Sequence, residues 1–166
     1  MGRHNHLVDG VSCSGKTTVG EELQRRGHHV VHGDRELAYR GDPVTGAPVA
    51  DGGHEHHLWD VAKVRALLAD TTHEVTYFCG GARNHAEFTA AWDGVLVLTV
   101  DRATLLRRLD ARPADEFGAA PEERALVEEL HRTGRDLPEG TPVDATRPVA
   151  QVVDEIERLT GTGKPC

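Results

Sequence analysis

Aromatic side chains are scarce in this sequence, with three Phe, two Tyr and two Trp among 166 residues, so its core has to be built mostly from aliphatic groups. Lysine is rarer still for a charged residue: Lys16, Lys63 and Lys164 are three of 19 basic residues. Arginine therefore carries nearly all the positive charge, which suits bidentate clamping of phosphate. Acids outnumber bases 27 to 19, a formal net charge of -8. That balance repels a phosphate backbone over most of the surface and excludes a broad nucleic-acid-binding face, so any anion must find a local basic pocket. The three cysteines, Cys13, Cys79 and Cys166, lack metal-ligand spacing and cannot all pair, as expected of a reducing, cytoplasmic compartment. No apolar run approaches the ~20 residues of a membrane span. The polar stretch from Met1 to His6 leads straight into a strand-like run, so neither membrane anchor nor signal peptide is expected.

What is present is an ordinary globular composition, 38% hydrophobic and 28% charged, at a length that fits one domain. Strands are predicted at His6–Asp9, His29–His32, Val75–Cys79, Val95–Val100 and Pro142–Asp144. Helices are predicted between and after them, at Lys16–Arg26, His56–Ala69, Arg102–Arg112, Pro121–Arg132 and Val149–Leu159. In the last of these Val149, Val152, Val153 and Ile156 recur at helical spacing and form one apolar stripe. Five strands separated by helices imply an α/β fold with a parallel sheet covered on both faces. Gly41–Gly53, with two prolines and four glycines, and Pro113–Pro121 read as loops. Loops of this kind at the carboxyl ends of parallel strands commonly hold ligand. One domain over residues 1–160 and a tail at 161–166 are expected.

Gly10-Val11-Ser12-Cys13-Ser14-Gly15-Lys16-Thr17 fits the pattern G-x-x-x-x-G-K-[ST], after a predicted strand and at the start of a predicted helix. In such a loop successive N–H groups turn toward a β-phosphate, and the helix adds the positive end of its dipole. Lys16 is placed for the β- and γ-phosphates of ATP, and the Thr17 hydroxyl for Mg2+. Gly10, Ser12, Cys13, Ser14, Gly15, Lys16, Thr17 and Thr18 are the candidate nucleotide-binding residues. A GTPase needs N-K-x-D, and the two asparagines, Asn5 and Asn84, are not followed by lysine. The D-x-x-G at Asp115–Gly118 comes too late to follow a γ-phosphate-sensing strand. Length and the lack of a signature sequence exclude an ABC or AAA+ motor. A small kinase remains.

In the order and spacing of these motifs the chain resembles the P-loop small-molecule kinases of the shikimate kinase, gluconate kinase and adenylate kinase group, over nearly its whole length. The resemblance implies a five-stranded parallel sheet of order 2-3-1-4-5, flanked by helices and carrying a short lid at about 113–121. In that group the second strand ends in an acid near the acceptor. Asp34, followed by Arg35, takes that place here, with His32 where shikimate kinases carry a first aspartate. Asp34 is thus the candidate to orient the acceptor hydroxyl, take its proton or help hold Mg2+; a plain helix N-cap is the alternative.

Gly80-Gly81-Ala82-Arg83-Asn84 resembles the glycine-rich turn that holds the acceptor, with Arg83 as a grip for a carboxylate, phosphate or polyol. The turn lacks the Asp-Gly-x-Pro-Arg of adenylate kinases, which weighs against a nucleoside monophosphate. Arg108 and Arg112 share a helix face leading to the lid, Arg112 being the favoured transition-state arginine. Arg147 and Pro148 resemble the loop that packs on adenine. The histidines of His54-Glu55-His56-His57 are read as surface residues rather than a metal site, and Cys13 and Cys79 as inert thiols. The function expected is ATP- and Mg2+-dependent phosphoryl transfer to a small-molecule acceptor by a monomer or homodimer. Its rivals are an ATP-hydrolysing regulatory protein that acts through a protein partner, and a nucleic-acid end kinase, which the acidic balance disfavours.

Overall fold

The segment His4–Gly10 forms β1, in which Leu7 and Val8 are both buried but belong to separate apolar clusters. Successive side chains of a strand point to opposite faces, so this split marks a strand covered on both sides. The computed structural model describes residues 4–163. After β1 come α1 (Lys16–Arg25), β2 (His29–His32), α2 (Gly33–Glu36), β3 (Ala38–Arg40), β4 (His57–Trp59), α3 (Val61–Ala69) and β5 (Val75–Cys79). They are followed by β6 (Gly94–Thr99), α4 (Arg102–Asp110), α5 (Pro121–Thr133), β7 (Thr141–Asp144) and α6 (Val149–Thr160). The main sheet has the order β2-β5-β1-β6-β7 with every pairing parallel. Counted over the five predicted strands alone, this is the expected 2-3-1-4-5. Of the tail expected at 161–166, Lys164 to Cys166 lie outside the described residues.

The two faces divide the core cleanly. Val8, Val30, Tyr77, Leu96 and Leu98 pack with Val19 and Leu23 of α1, Leu105 of α4, Val127 of α5 and the α6 stripe Val152, Val153 and Ile156. Leu7, Val31 and Phe78 turn the other way, onto Leu37, Trp59, Val64 and Phe88.

One predicted helix is corrected. The segment expected as His56–Ala69 is a 3-10 turn at His54–His56, then β4, then α3. Leu58, Val61, Val64 and Leu68 keep helical spacing straight through the strand, which hides it in the sequence. The break falls at Asp60, whose carboxylate accepts a hydrogen bond from the Lys63 amide at 3.0 Å and caps α3. β4 pairs antiparallel with β3, Tyr39 opposite Leu58. The predicted loop Gly41–Gly53 is the connection of this small ribbon, pinched by a bridge between Gly41 and Pro48. The helix expected to reach Arg112 ends at Asp110.

Ile156 is fully buried on the α6 stripe. Ile156→Ala is expected to cost about 3 kcal/mol in urea unfolding, while Leu159→Ala, on the exposed side of the same helix, should cost under about 1 kcal/mol.

Candidate active site

β1 ends at Gly10, and the chain curls through five residues before α1 begins at Lys16. The curl needs a left-handed residue immediately ahead of the helix, and Gly15 supplies it at φ 104°. Cys13 also takes positive φ, 67°, the one non-glycine among the described residues to do so. Lys16 Nζ donates to the carbonyls of Gly10 (2.5 Å) and Val11 (3.0 Å), so its ammonium lies across the mouth of the loop. The hydroxyl of Ser14 is buried inside the loop with no partner among the described residues. The first amides of α1 have no intrahelical acceptor. Together these make a concave cluster of donors around one ammonium.

Two arginines of the α4 region reach this loop from 94 to 100 residues away in sequence. Arg108 donates from Nη1 to the carbonyls of Cys13 and Ser14, each at 3.1 Å, and from Nη2 to that of Ala145 at 2.7 Å. Arg112 donates to Ser12 Oγ at 3.2 Å and to the carbonyl of Phe117 in the segment expected as a lid. The two expected arginines therefore differ in role. Arg108 is spent on backbone carbonyls of the loop and of Ala145, and Arg112 spans from the loop to the segment after α4.

The loop forms one wall of a cleft of about 1070 Å³. Arg147 and Pro148 line it near the phosphate loop, and Asp34, Arg40, His54, His57, Gly81, Arg83 and Asp136 line it too. Asp34 does not cap a helix; it lies inside the short α2, and its carboxylate meets His57 Nε2 at 3.1 Å. Although 58% of its side chain is open, it sits in a concave wall. The loss of water there pushes its carboxyl up, and His57, Lys16 and Arg35 together outweigh that, leaving it below the ordinary carboxylate value. Arg35, expected near the acceptor, turns outward and pairs with Glu21 at 3.2 Å. It is not among the residues lining the cleft. Gly80 likewise faces Trp59 rather than the cleft.

Arg83 does line the cleft, but its guanidinium is paired through Nη1 with Asp136. Asp136, 10% exposed, also meets His54 Nε2 at 2.9 Å. The histidines of the 54–57 run are therefore engaged rather than idle: His54 with Asp136, His56 with the Gly41 carbonyl, and His57 with Asp34. Among the described residues no group of three or more His, Cys, Asp or Glu is placed to hold a metal. Burial raises both thiols, Cys13 against the pull of Arg112, Lys16 and Arg108, and Cys79 to about 12, so neither is a thiolate at neutral pH.

Sequence reasoning passed over Asp9. It is the last side chain of β1, 3% exposed, and its Oδ1 accepts from the Gly10 amide at 2.7 Å. A Cβ on Gly81 would come within 2.5 Å of that oxygen, so only glycine lets the β5 turn close over it. Burial raises the Asp9 carboxyl to about 6 against the opposing pull of Lys16 and the Gly10 amide. The available signal was an acid in an otherwise apolar central strand, directly before the phosphate loop. Asp136, in an undistinguished loop after α5, gave no such signal.

Solved structures that share this fold cover the chain nearly end to end. A shikimate kinase from Acinetobacter baumannii in complex with shikimate is 14% identical, with 98% of this chain and 96% of that one covered and a TM-score of 0.61. A gluconokinase from Sinorhizobium meliloti is 20% identical, with 95% and 94% covered and a TM-score of 0.55. A deoxyadenosine kinase from M. mycoides with bound dATP is 16% identical, with 95% and 99% covered and a TM-score of 0.53. No curated protein matches the sequence. The fold is thus that of P-loop small-molecule kinases. A family profile described as AAA domain matches residues 7–128, most of the chain and all of the phosphate loop. The chain belongs to the AAA domain family.

Proposed function

We propose that this chain is an ATP-dependent phosphotransferase that moves the γ-phosphoryl group to a hydroxyl of a small molecule. The observation that carries the reading is the two-ended cleft: the phosphate loop with Lys16 and Arg112 at one end, and Asp34 hydrogen-bonded to His57 at the other. A nucleotide needs only the first end. The second gives an acceptor somewhere to bind.

Each residue's part follows from its position. The loop amides and Lys16 hold the β- and γ-phosphates, and Arg108 keeps the loop in shape from behind. Arg112, bonded to both Ser12 and the lid segment, brings a guanidinium over the phosphates as the lid settles, where it stabilises charge spread over the equatorial oxygens. Asp34, ionised and backed by His57, orients the acceptor hydroxyl and receives its proton as transfer completes. Arg147 and Pro148 offer a flat surface to the base.

The residues present fit Mg2+. This ion takes one or two protein oxygens and fills its octahedron with phosphate and water. The Thr17 hydroxyl and the Asp34 carboxylate line the same cleft and supply that donor set without a protein cage. Bound there, magnesium neutralises the charge developing on the phosphates.

Lys16→Ala is expected to leave the fold intact, since the Lys16 ammonium bonds only to loop carbonyls, and to lower ADP release with a working acceptor by roughly 10²–10³-fold. Circular dichroism and a coupled ADP assay across sugars, sugar acids, nucleosides and polyols read both effects; undiminished turnover would refute the role.

Asp9 supplies a second test. Its carboxyl titrates at about 6 when folded against an ordinary 3.8, so between these values the native chain retains a proton that the unfolded chain has released. Its contribution to stability is complete below pH ~4 and lost as pH rises through 6. Asp9→Asn should therefore gain about 1–3 kcal/mol in urea unfolding at pH 7.5 and nothing at pH 4; parallel stability curves for the two proteins would show that the buried charge costs nothing.

A further inference from the structure

Asp9, Asp34, Asp101 and Asp144 stand at the carboxyl ends of parallel strands or just after them. Three of these acids are answered. Asp101 accepts the Thr104 amide and caps α4, Asp144 accepts both the amide and the hydroxyl of Thr146, and Asp34 meets His57. Asp9 is not. It is 3% exposed, and among the described residues only the Gly10 amide donates to it, at Oδ1, which leaves Oδ2 without a donor. Lys16 acts on it through space but spends its ammonium on the carbonyls of Gly10 and Val11. A buried carboxylate without a counter-ion is costly.

The position of this carboxylate points to what would answer it. Asp9 lines the same cleft as Thr17 and Asp34, and the charges that act on it are Lys16 from the loop and Asp34 with His57 from the other end. A triphosphate brings several negative charges to the loop, beside two carboxylates. Lys16 and an Arg112 already paired with Glu116 do not balance them. Mg2+ does, and because it keeps several of its waters it is served both by oxygens that touch it and by acids that accept from its water. Asp9 suits the second part. It is recessed under the β5 turn, where a Cβ on Gly81 would come within 2.5 Å of Oδ1 and 3.3 Å of Oδ2, so an ion held by phosphates in the cleft meets it across a water.

We propose that Asp9 is a positioning residue for Mg2+, with Oδ2 accepting a hydrogen bond from the water shell of the ion, beyond the oxygens of Thr17 and Asp34. The inference rests on the nucleotide-binding part of the phosphotransferase reading. It gives a reason for a carboxylate that costs stability to stand at the end of the central strand. The acid adds to the affinity for a metal-loaded nucleotide and repels a bare one, an opposition of sign that a residue merely shaping the loop does not produce.

The measurement is calorimetry of β,γ-imido ATP binding, once with excess Mg2+ and once with EDTA, on wild type, Asp9→Asn and Asp9→Ala. The first variant keeps an oxygen for the Gly10 amide and the second removes the whole carboxyl group, so either one that folds decides the question. In wild type Mg2+ is expected to tighten binding. In the variants that gain should shrink by about 10-fold or more, while the metal-free affinity stays the same or rises because the repelling charge is gone. Affinities that fall by one common factor with and without Mg2+ would assign Asp9 to the shape of the loop, and an unchanged ratio of the two overturns the proposal. So does a wild type that binds the analogue equally well in both conditions, an outcome that leaves the nucleotide reading standing. A wild type that takes up no analogue in either condition overturns the phosphotransferase reading and the proposal with it.

Discussion

Arg108 is the tie on which the nucleotide end of the cleft depends. Its guanidinium accepts no hydrogen bonds and gives several, and it gives them to three backbone carbonyls: those of Cys13 and Ser14 in the phosphate loop and that of Ala145 just beyond β7. A loop that aims its amides inward necessarily turns some carbonyls outward, and these need donors. By answering them from α4, Arg108 fixes the loop against the far edge of the sheet. It also supports the left-handed backbone of Cys13, a conformation that costs a non-glycine residue roughly 1 kcal/mol.

The two ends of the cleft handle charge in opposite ways. At the phosphate loop, Lys16 and Arg108 are hydrogen-bonded to neutral oxygens, so their positive charge remains available to an anion, whereas Arg112 also pairs with Glu116 at 3.5 Å. At the other end, Asp34 is matched by His57, and Arg83 by Asp136, with His54 completing the second pair. The protein as a whole is strongly acidic, so the cations gathered at the phosphate loop make that end of the cleft the favourable place for an anion.

Much of this was legible in the sequence. The phosphate loop declares itself because its chemistry needs fixed residue types at adjacent positions, and the five parallel strands show because each is short, apolar and bounded by turns. β3 and β4 stayed hidden: they have three residues apiece, and the apolar spacing of α3 runs on through β4. The pairing of Arg83 with Asp136 was beyond reach because nothing local encodes it. Arg83 could be recognised as a candidate, but its partner is set by where α5 ends against the ribbon. Arg35 misled for the complementary reason, since a residue next to Asp34 on a helical turn points away from it. Asp9 was visible and passed over, its acidity hidden by its place at the end of a predicted strand.

The β3–β4 ribbon has a mechanical consequence. Trp59 lies under Gly33 and Gly80, filling the space a Cβ would need at either, while Asn84 grips its backbone from both sides. Ribbon, α2 and the β5 turn are thereby riveted into one plate through a single indole. A side chain added at Gly33 or Gly80 would strike that indole and loosen all three elements together.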